Sequence, residues 1–249
     1  MNWSASKIGT FFKEPAHAIG LSTPPIGCVL DLPGLPGGGN KIYDRSPYGN
    51  HGTITGATWE RLPSGLWVTH FDGVNDLINC GSGSSLDDLT NCTCLFWVYF
   101  DTSEYGEGNY PTMFEKTRYR FNIYSAGGPT HGRPWAYRYF EGGGSVTANS
   151  IGTEALSATT WYLLGYSFSS VDNKIRLYTN GVEVSYTEQV AGVGTLVSEA
   201  GDDLILGNRA GTDNTLDGML ALIRMYNRVL SALEIQNHYQ QEKHLFGVW

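Results

Sequence analysis

Trp135, Tyr137 and Tyr139 stand at i, i+2 and i+4, so on an extended strand their rings share one face. A row of flat rings is sugar-binding chemistry: ring faces pack on C–H groups and neighbouring polar side chains take the hydroxyls. Arg133 and Arg138 are close by. A second aromatic set lies in the loop Asp101–Tyr110, where Tyr105, Asn109 and Tyr110 stand among glycines, as in a mobile binding loop. These six residues are the candidate glycan-binding set. For the strand, the preferred reading is that the rings pack inward on another sheet, because Ala136 and Phe140 alone make a poor core face. For the loop it is an ordinary surface connection.

Catalytic patterns are absent from the sequence. A retaining glycosidase needs two carboxyl groups ~5–5.5 Å apart, which acids at i and i+4 of a strand, with a helper at i+2, would supply. Glu104 and Glu107 sit in the Gly/Tyr-rich loop, Asp87-Asp88 sits at a turn, and Asp202-Asp203 has no third acid. Gly34–Lys41 is similar to a phosphate loop, but Asn40 stands where the lysine is needed. Neither His-Glu-x-x-His nor Gly-x-Ser-x-Gly occurs, and the six histidines are scattered. The expectation is a non-catalytic protein. Cys28, Cys80, Cys92 and Cys94 have no further Cys or His at ligand spacing and read as buried thiols.

The elements that must position these residues are strands. The chain has 249 residues, 41% hydrophobic and only 16% charged, with 32 Gly, 10 Pro and 15 Tyr. That is enough apolar mass for a core and too little Lys/Glu/Ala for a helix bundle. The net charge of −8 opposes a nucleic-acid partner, which wants a basic face. No stretch offers the ~20 apolar residues of a membrane span. Lys7, Lys13 and Ala16-His17-Ala18 imitate a signal peptide, but Lys13-Glu14-Pro15 interrupts its apolar stretch, so none is expected.

Thr93–Phe100 is apolar on both faces, as in an inner strand, and so is Trp161–Phe168. Tyr119, Phe121 and Ile123 alternate with Arg120, Asn122 and Tyr124, one face in and one out. Asn180-Gly181 predicts a type I′ turn joining strands Lys174–Thr179 and Val182–Tyr186. Asp203–Gly207 and Met219–Tyr226 are the last two strands. Ser231-Ala-Leu-Glu234 is a capping box and Leu230 with Ile235 a hydrophobic staple, so a helix runs from there to about Lys243. Evenly spaced strands without βαβ alternation predict an all-β, two-sheet antiparallel sandwich or jelly roll.

Six ordered phrases across residues 28–240 resemble the laminin-G-like, concanavalin A-like jelly-roll family. They are Tyr43–Gly52, His70–Asp76, Cys94–Val98, Ile175–Gly181, Leu206-Gly207, and Leu216-Asp-Gly with Ile223–Ser231 and Glu234-Ile235. The resemblance implies two sheets of six or seven strands and a short helix at the edge. Asp44 and Asn50 bracket a polar turn where side-chain oxygens can bond backbone N–H groups, so the motifs read as mainly fold-forming. Relatives with an acid before the Ile-Arg-Met-Tyr phrase can hold a structural calcium; here Met219–Leu222 is wholly apolar, leaving Asp44, Asn50, Asp72 and Asp76 as candidate ligands. The fold also hosts glucanases, yet the laminarinase-like Glu-x-Asp-x-x-Glu phrase is missing.

The expected organisation is an extended arm over residues 1–27, a jelly-roll domain over 28–244 and an apolar tail over 245–249. Trp3, Ile8, Phe11 and Phe12 in the arm and Leu245, Phe246 and Trp249 in the tail are candidate partner-binding residues. Stand-alone domains of this family resemble phage and virus accessory proteins. The first expectation is therefore a decoration protein of a virion or extracellular assembly whose termini hold neighbouring subunits. The second is a lectin-like module binding surface glycans.

Overall fold

The structure is a computed structural model that describes residues 25–36, 39–102, 110–124, 132–142 and 146–248. Within these the strands are, in chain order, β1 (Cys28–Leu32), β2 (Lys41–Ile42), β3 (Gly52–Thr55), β4 (Thr58–Arg61), β5 (Trp67–Asp72) and β6 (Leu77–Asn79). Next come β7 (Asn91–Phe100), β8 (Thr112–Lys116), β9 (Tyr119–Tyr124), β10 (Arg133–Glu141), β11 (Val146–Gly152) and β12 (Trp161–Ser169). Last are β13 (Lys174–Thr179), β14 (Val182–Glu183), β15 (Tyr186–Val190), β16 (Thr195–Leu196), β17 (Ile205–Leu206) and β18 (Asp217–Tyr226). Helix α1 spans Ala232–Glu242 and continues as a 3-10 turn over Lys243–Phe246.

The first sheet runs β14-β13-β12-β7-β18-β5-β4, with β1 also on β18; the second runs β15-β11-β10-β9-β8-β17-β6-β3-β2, with β16 on β10. The described pairings are antiparallel. The sandwich with a short C-terminal helix is the expected architecture. The strand number is larger than the resemblance implies because several elements are only two residues long, β2, β14 and β16 at sheet edges and β17 between β8 and β6.

The two-sided apolarity of β7 is now explained. Cys92, Cys94, Phe96, Val98 and Phe100 face the core between the sheets. Leu95 and Trp97 face the opposite way, into a second core beneath α1. Strand β12 divides alike, Leu164, Tyr166 and Phe168 inward and Trp161 and Leu163 outward. All four cysteines are free and buried, and burial pushes the Cys28 thiol up to about 12.

Local signals place the corners. Asn180 and Gly181 take φ of 52° and 83°, the type I′ pair. The hairpin's second arm is shorter than expected: β14 ends at Glu183, and the chain crosses to the other sheet, where Tyr186 starts β15 against β11. Gly207 has φ 74°, and a Cβ there would lie 2.2 Å from the Phe71 ring, so the Leu206-Gly207 phrase reflects a close approach. Asp44 accepts the N–H groups of Asp31, Ser46 and Asn50 at 2.8 Å each, and Asn50 donates to the Val29 carbonyl and the Ser85 hydroxyl. The Tyr43–Gly52 motif therefore ties a turn to β1.

The C-terminus corrects the expected tail. Leu245 and Phe246 are buried, not presented to a partner. Phe246 stacks on Trp97 at 4.2 Å and 18°, and lies 4.6 Å from Trp161. The capping box forms in full at Ser231 and Glu234, and Leu230 and Ile235 are buried as a staple. Glu242, at the end of α1, accepts from the Trp97 indole at 2.8 Å and from Arg224 at 2.7 Å. Arg224 also reaches Asp31 at 3.3 Å, so β1, β18 and α1 share one buried ion network. Burial would push the Glu242 carboxyl up; Arg224, then His238 and Trp97, more than offset it and hold it below its usual range. The arm residues Trp3, Ile8, Phe11 and Phe12, and the last residue Trp249, lie outside the described residues.

Candidate functional site

Strands β15-β11-β10-β9-β8 carry the site on their outward face. The alternation along β10 settles which way its rings point: Ala136 and Phe140 belong to the inter-sheet core, so Trp135, Tyr137 and Tyr139 project outward. The preferred inward reading was wrong. Arg138 is the missing core residue. Its guanidinium is buried 4.7 Å from the ring centres of both Tyr119 and Phe168 and pairs with buried Glu199 at 3.4 Å. The inner face thus uses an arginine where an apolar side chain was sought, and the aromatic row is free to face out.

The outward rings form one continuous cluster. Trp135 and Tyr137 are 5.5 Å apart at 46°, and Tyr137 and Tyr139 5.3 Å apart at 81°. In register, Arg133 lies opposite Tyr124, Trp135 opposite Asn122 and Tyr137 opposite Arg120. Tyr124 meets Trp135 edge-on at 5.7 Å. Tyr110, two residues before β8, stacks on Tyr124 at 5.8 Å and meets Trp135 at 5.5 Å. The two candidate sets of the sequence thus converge at Tyr110. Tyr105 and Asn109 lie outside the described residues. Exposure is graded: Tyr139 is 41% exposed, Trp135, Tyr110 and Tyr124 are half-buried, and Tyr137 is 9% exposed.

Polar groups fix these rings. The Trp135 Nε1–H donates to Asn149 Oδ1 at 2.6 Å, and Asn149 Nδ2 donates to Glu188 at 2.6 Å, a relay from β10 through β11 to β15. Arg120 lies over the Tyr137 ring at 5.1 Å and pairs with Glu115, whose other oxygen accepts the Ala210 N–H at 2.9 Å. Burial pushes the Tyr137 hydroxyl well up, so it stays a neutral donor. Sequence reasoning missed Tyr124, Arg120, Asn149 and Glu188 as members. The alternation of Arg120, Asn122 and Tyr124 was the available signal, since it already set β9's polar side outward.

The four candidate metal ligands do not come together. Asp44 and Asn50 spend their polar atoms on β1 and its turn, as above. Asp76 accepts the Asp72 N–H at 3.0 Å and Asp72 accepts the Val74 N–H at 2.9 Å, forming a separate turn. Burial, then Asp72, pushes the Asp76 carboxyl up. Among the described residues no group of three or more His, Cys, Asp or Glu is placed to hold a metal ion. Nearby, His70 Nε2 lies 2.6 Å from Asp101 and its Nδ1 3.9 Å from Glu60. Burial, then Asp101, raises the Asp217 carboxyl beside them.

A two-sheet antiparallel sandwich with a short C-terminal helix is a jelly-roll architecture, and sequence comparison agrees with the fold. The family described as the concanavalin A-like lectin/glucanases superfamily (Laminin_G_3) matches residues 72–236, and the chain belongs to it. No protein of curated function matches the sequence. Among solved structures the chain is similar to the binding domain of Paraclostridial Mosquitocidal Protein 1 (TM-score 0.63, 13% identity, 89% of this chain and 55% of that one). It is similar to the receptor binding domain of botulinum neurotoxin C/D mosaic serotype (0.61, 14%, 86% and 51%). It is also similar to domain 4 of AbnA, an extracellular arabinanase from Geobacillus stearothermophilus, in complex with arabinotriose (0.56, 19%, 78% and 91%). The chain spans about half the length of the two toxin domains. At these identities the likeness is one of fold.

Proposed function

We propose that this protein is a non-catalytic carbohydrate-binding module whose ligand lies along β10 on the outward face of the second sheet. The observation that carries the reading is the continuous cluster Tyr110, Tyr124, Trp135, Tyr137 and Tyr139, held by the Trp135–Asn149–Glu188 relay. Alternate residues of a strand repeat every ~6.6 Å, so several sugar units can follow the row. Pre-set rings reduce the ordering cost that a flexible site would incur. The structural neighbours support the reading by analogy: one is described with a bound arabinose trisaccharide and two as binding domains of toxins.

The test is calorimetric titration with soluble oligosaccharides chosen from a glycan array. Tyr139→Ala and Trp135→Ala should each weaken binding about tenfold or more while melting stays close to that of the parent for Tyr139→Ala. A folded protein that binds no arrayed glycan, or ring variants that bind as well as the parent, would refute the proposal.

A second reading, attachment to a neighbouring subunit of a virion or extracellular assembly through the arm, has one observation behind it. Ile26, where the arm joins the domain, is 90% exposed. Light scattering on the intact chain and on one lacking residues 1–24 tests it: an oligomer that becomes folded monomers on truncation supports the arm, and monomers in both cases refute homo-oligomerisation through it.

A further inference from the structure

The cations near the aromatic face are not equivalent. Arg120 is neutralised by Glu115, and Arg209 by Asp213, close enough for both arginines to act electrostatically on the Tyr137 hydroxyl. Arg133 differs. It occupies the same outward side of β10, two residues before Trp135 and directly opposite Tyr124, and it is only half-buried. Among the described residues no ion pair or side-chain hydrogen bond engages its guanidinium, whereas Arg45, Arg120, Arg138, Arg176, Arg209, Arg224 and Arg228 are paired with carboxylates and Arg61 lies over the Trp67 ring. Arg118, exposed in the turn beside Tyr139, is likewise without an ion pair among the described residues but stands at the far end of the row from Trp135. An unpaired guanidinium at the end of a sugar-sized aromatic row is a built acceptor for an anion.

Resting on the carbohydrate reading, we propose that the natural ligand is a mostly neutral saccharide chain carrying an isolated carboxylate, a uronic- or sialic-acid unit, that docks on Arg133 while its neighbours stack on Trp135 and Tyr139. The planar fork of an arginine matches a carboxylate with two parallel hydrogen bonds. The rest of the face argues for a sparse charge. Glu188 borders the same rings with no cation paired to it among the described residues, and the chain carries a net charge of −8. A densely sulfated polymer would need a basic stripe, whereas among the described residues this face offers only two separated unpaired arginines, Arg133 at one end of the row and Arg118 beside Tyr139 at the other. A purely neutral chain would leave Arg133 without a partner in the complex as well as in the free protein.

The test uses the full chain on an array of neutral, singly carboxylated and polysulfated oligosaccharides, followed by calorimetry. The expected result is preference for singly carboxylated chains, lost when the acid is converted to its methyl ester. Arg133→Gln should weaken the carboxylated ligand about 10- to 100-fold, the range of one charge-assisted contact, and leave the esterified ligand unchanged. Arg133→Lys should recover part of the loss, since a point charge replaces the fork. Tyr139→Ala should weaken both ligands alike. Neutral chains binding as tightly as carboxylated ones, with dependence on Tyr139 and none on Arg133, would overturn this inference and leave the carbohydrate reading standing. A preference for polysulfated chains would also overturn it. Absence of binding to every glycan would remove both.

Discussion

Removing the Phe246 ring decides whether the C-terminus belongs to the domain or to a partner. Phe246 is 8% exposed and sits between Trp97 at 4.2 Å and Trp161 at 4.6 Å. A ring of this size buries on the order of 150 Å², which at about 25 cal/mol per Å² is roughly 4 kcal/mol. Phe246→Ala keeps a methyl group, and a site near the chain end can close in partly, so the expected loss is about 3 kcal/mol, the low end for aromatic truncations. For a chain of this size that corresponds to a fall in Tm of roughly 6–12 °C. The assay is urea unfolding followed by fluorescence, with the midpoint compared at unchanged slope. A tail held out for a neighbouring subunit would give a surface-like change within about 0.5 kcal/mol. That outcome would refute the packing argument and restore Leu245 and Phe246 as partner-binding residues.

Three further outcomes follow from the same surroundings. Glu242→Gln leaves Arg224 paired with Asp31 alone and should cost about 3 kcal/mol by urea unfolding near neutral pH. Its carboxyl lies below the ordinary 4.5 in the folded protein, so its stabilisation is complete above that pH and fades as pH falls toward the folded value; the gap between parent and variant should shrink on acidification from about pH 5 to 3. Ser231→Ala removes the N-cap hydroxyl of α1, while Glu234, held down at about 2, keeps Arg228 and the backbone N–H of residue 231; the expected cost is about 1 kcal/mol, read as a small drop in Tm. Arg138→Ala strips a buried carboxylate of its partner and should cost about 3–5 kcal/mol; adding Glu199→Gln should recover the part due to the uncompensated charge but not the part due to the cavity left beside Tyr119 and Phe168.

Much of the fold was legible because its signals are local. Asn180-Gly181 names its turn by φ alone, and Ser231 with Glu234 names its helix start by two hydrogen bonds within four residues. What the sequence concealed was the cover of the second core. The two-sided apolarity of Thr93–Phe100 and Trp161–Phe168 showed that both faces are covered, but not that α1 and the Lys243–Phe246 turn are what cover Leu95, Trp97, Leu163 and Tyr178. The same gap made Leu245 and Phe246 look exposed, since their burial depends on Trp97 and Trp161, far away in the chain.

The site was misread for a different reason. Period-two alternation along β10 offers two assignments, and Ala136 with Phe140 alone made the poorer core face. That logic treats a charged side chain as unable to fill a core. Arg138 fills one because Tyr119 and Phe168 offer ring faces to its guanidinium and Glu199 supplies the counter-charge, all from other strands. Had Arg138 been leucine, the inner face would have been legible and Trp135, Tyr137 and Tyr139 assigned outward from sequence alone. A buried arginine on one side of the strand thus leaves a solvent-facing aromatic row on the other. Arg138→Leu together with Glu199→Leu should therefore keep glycan affinity at the parent's level, because the row's geometry is set by β9, β11 and Asn149, not by the ion pair. A loss of affinity in that folded double variant would show that the core pair positions the rings and that the two faces of β10 are coupled.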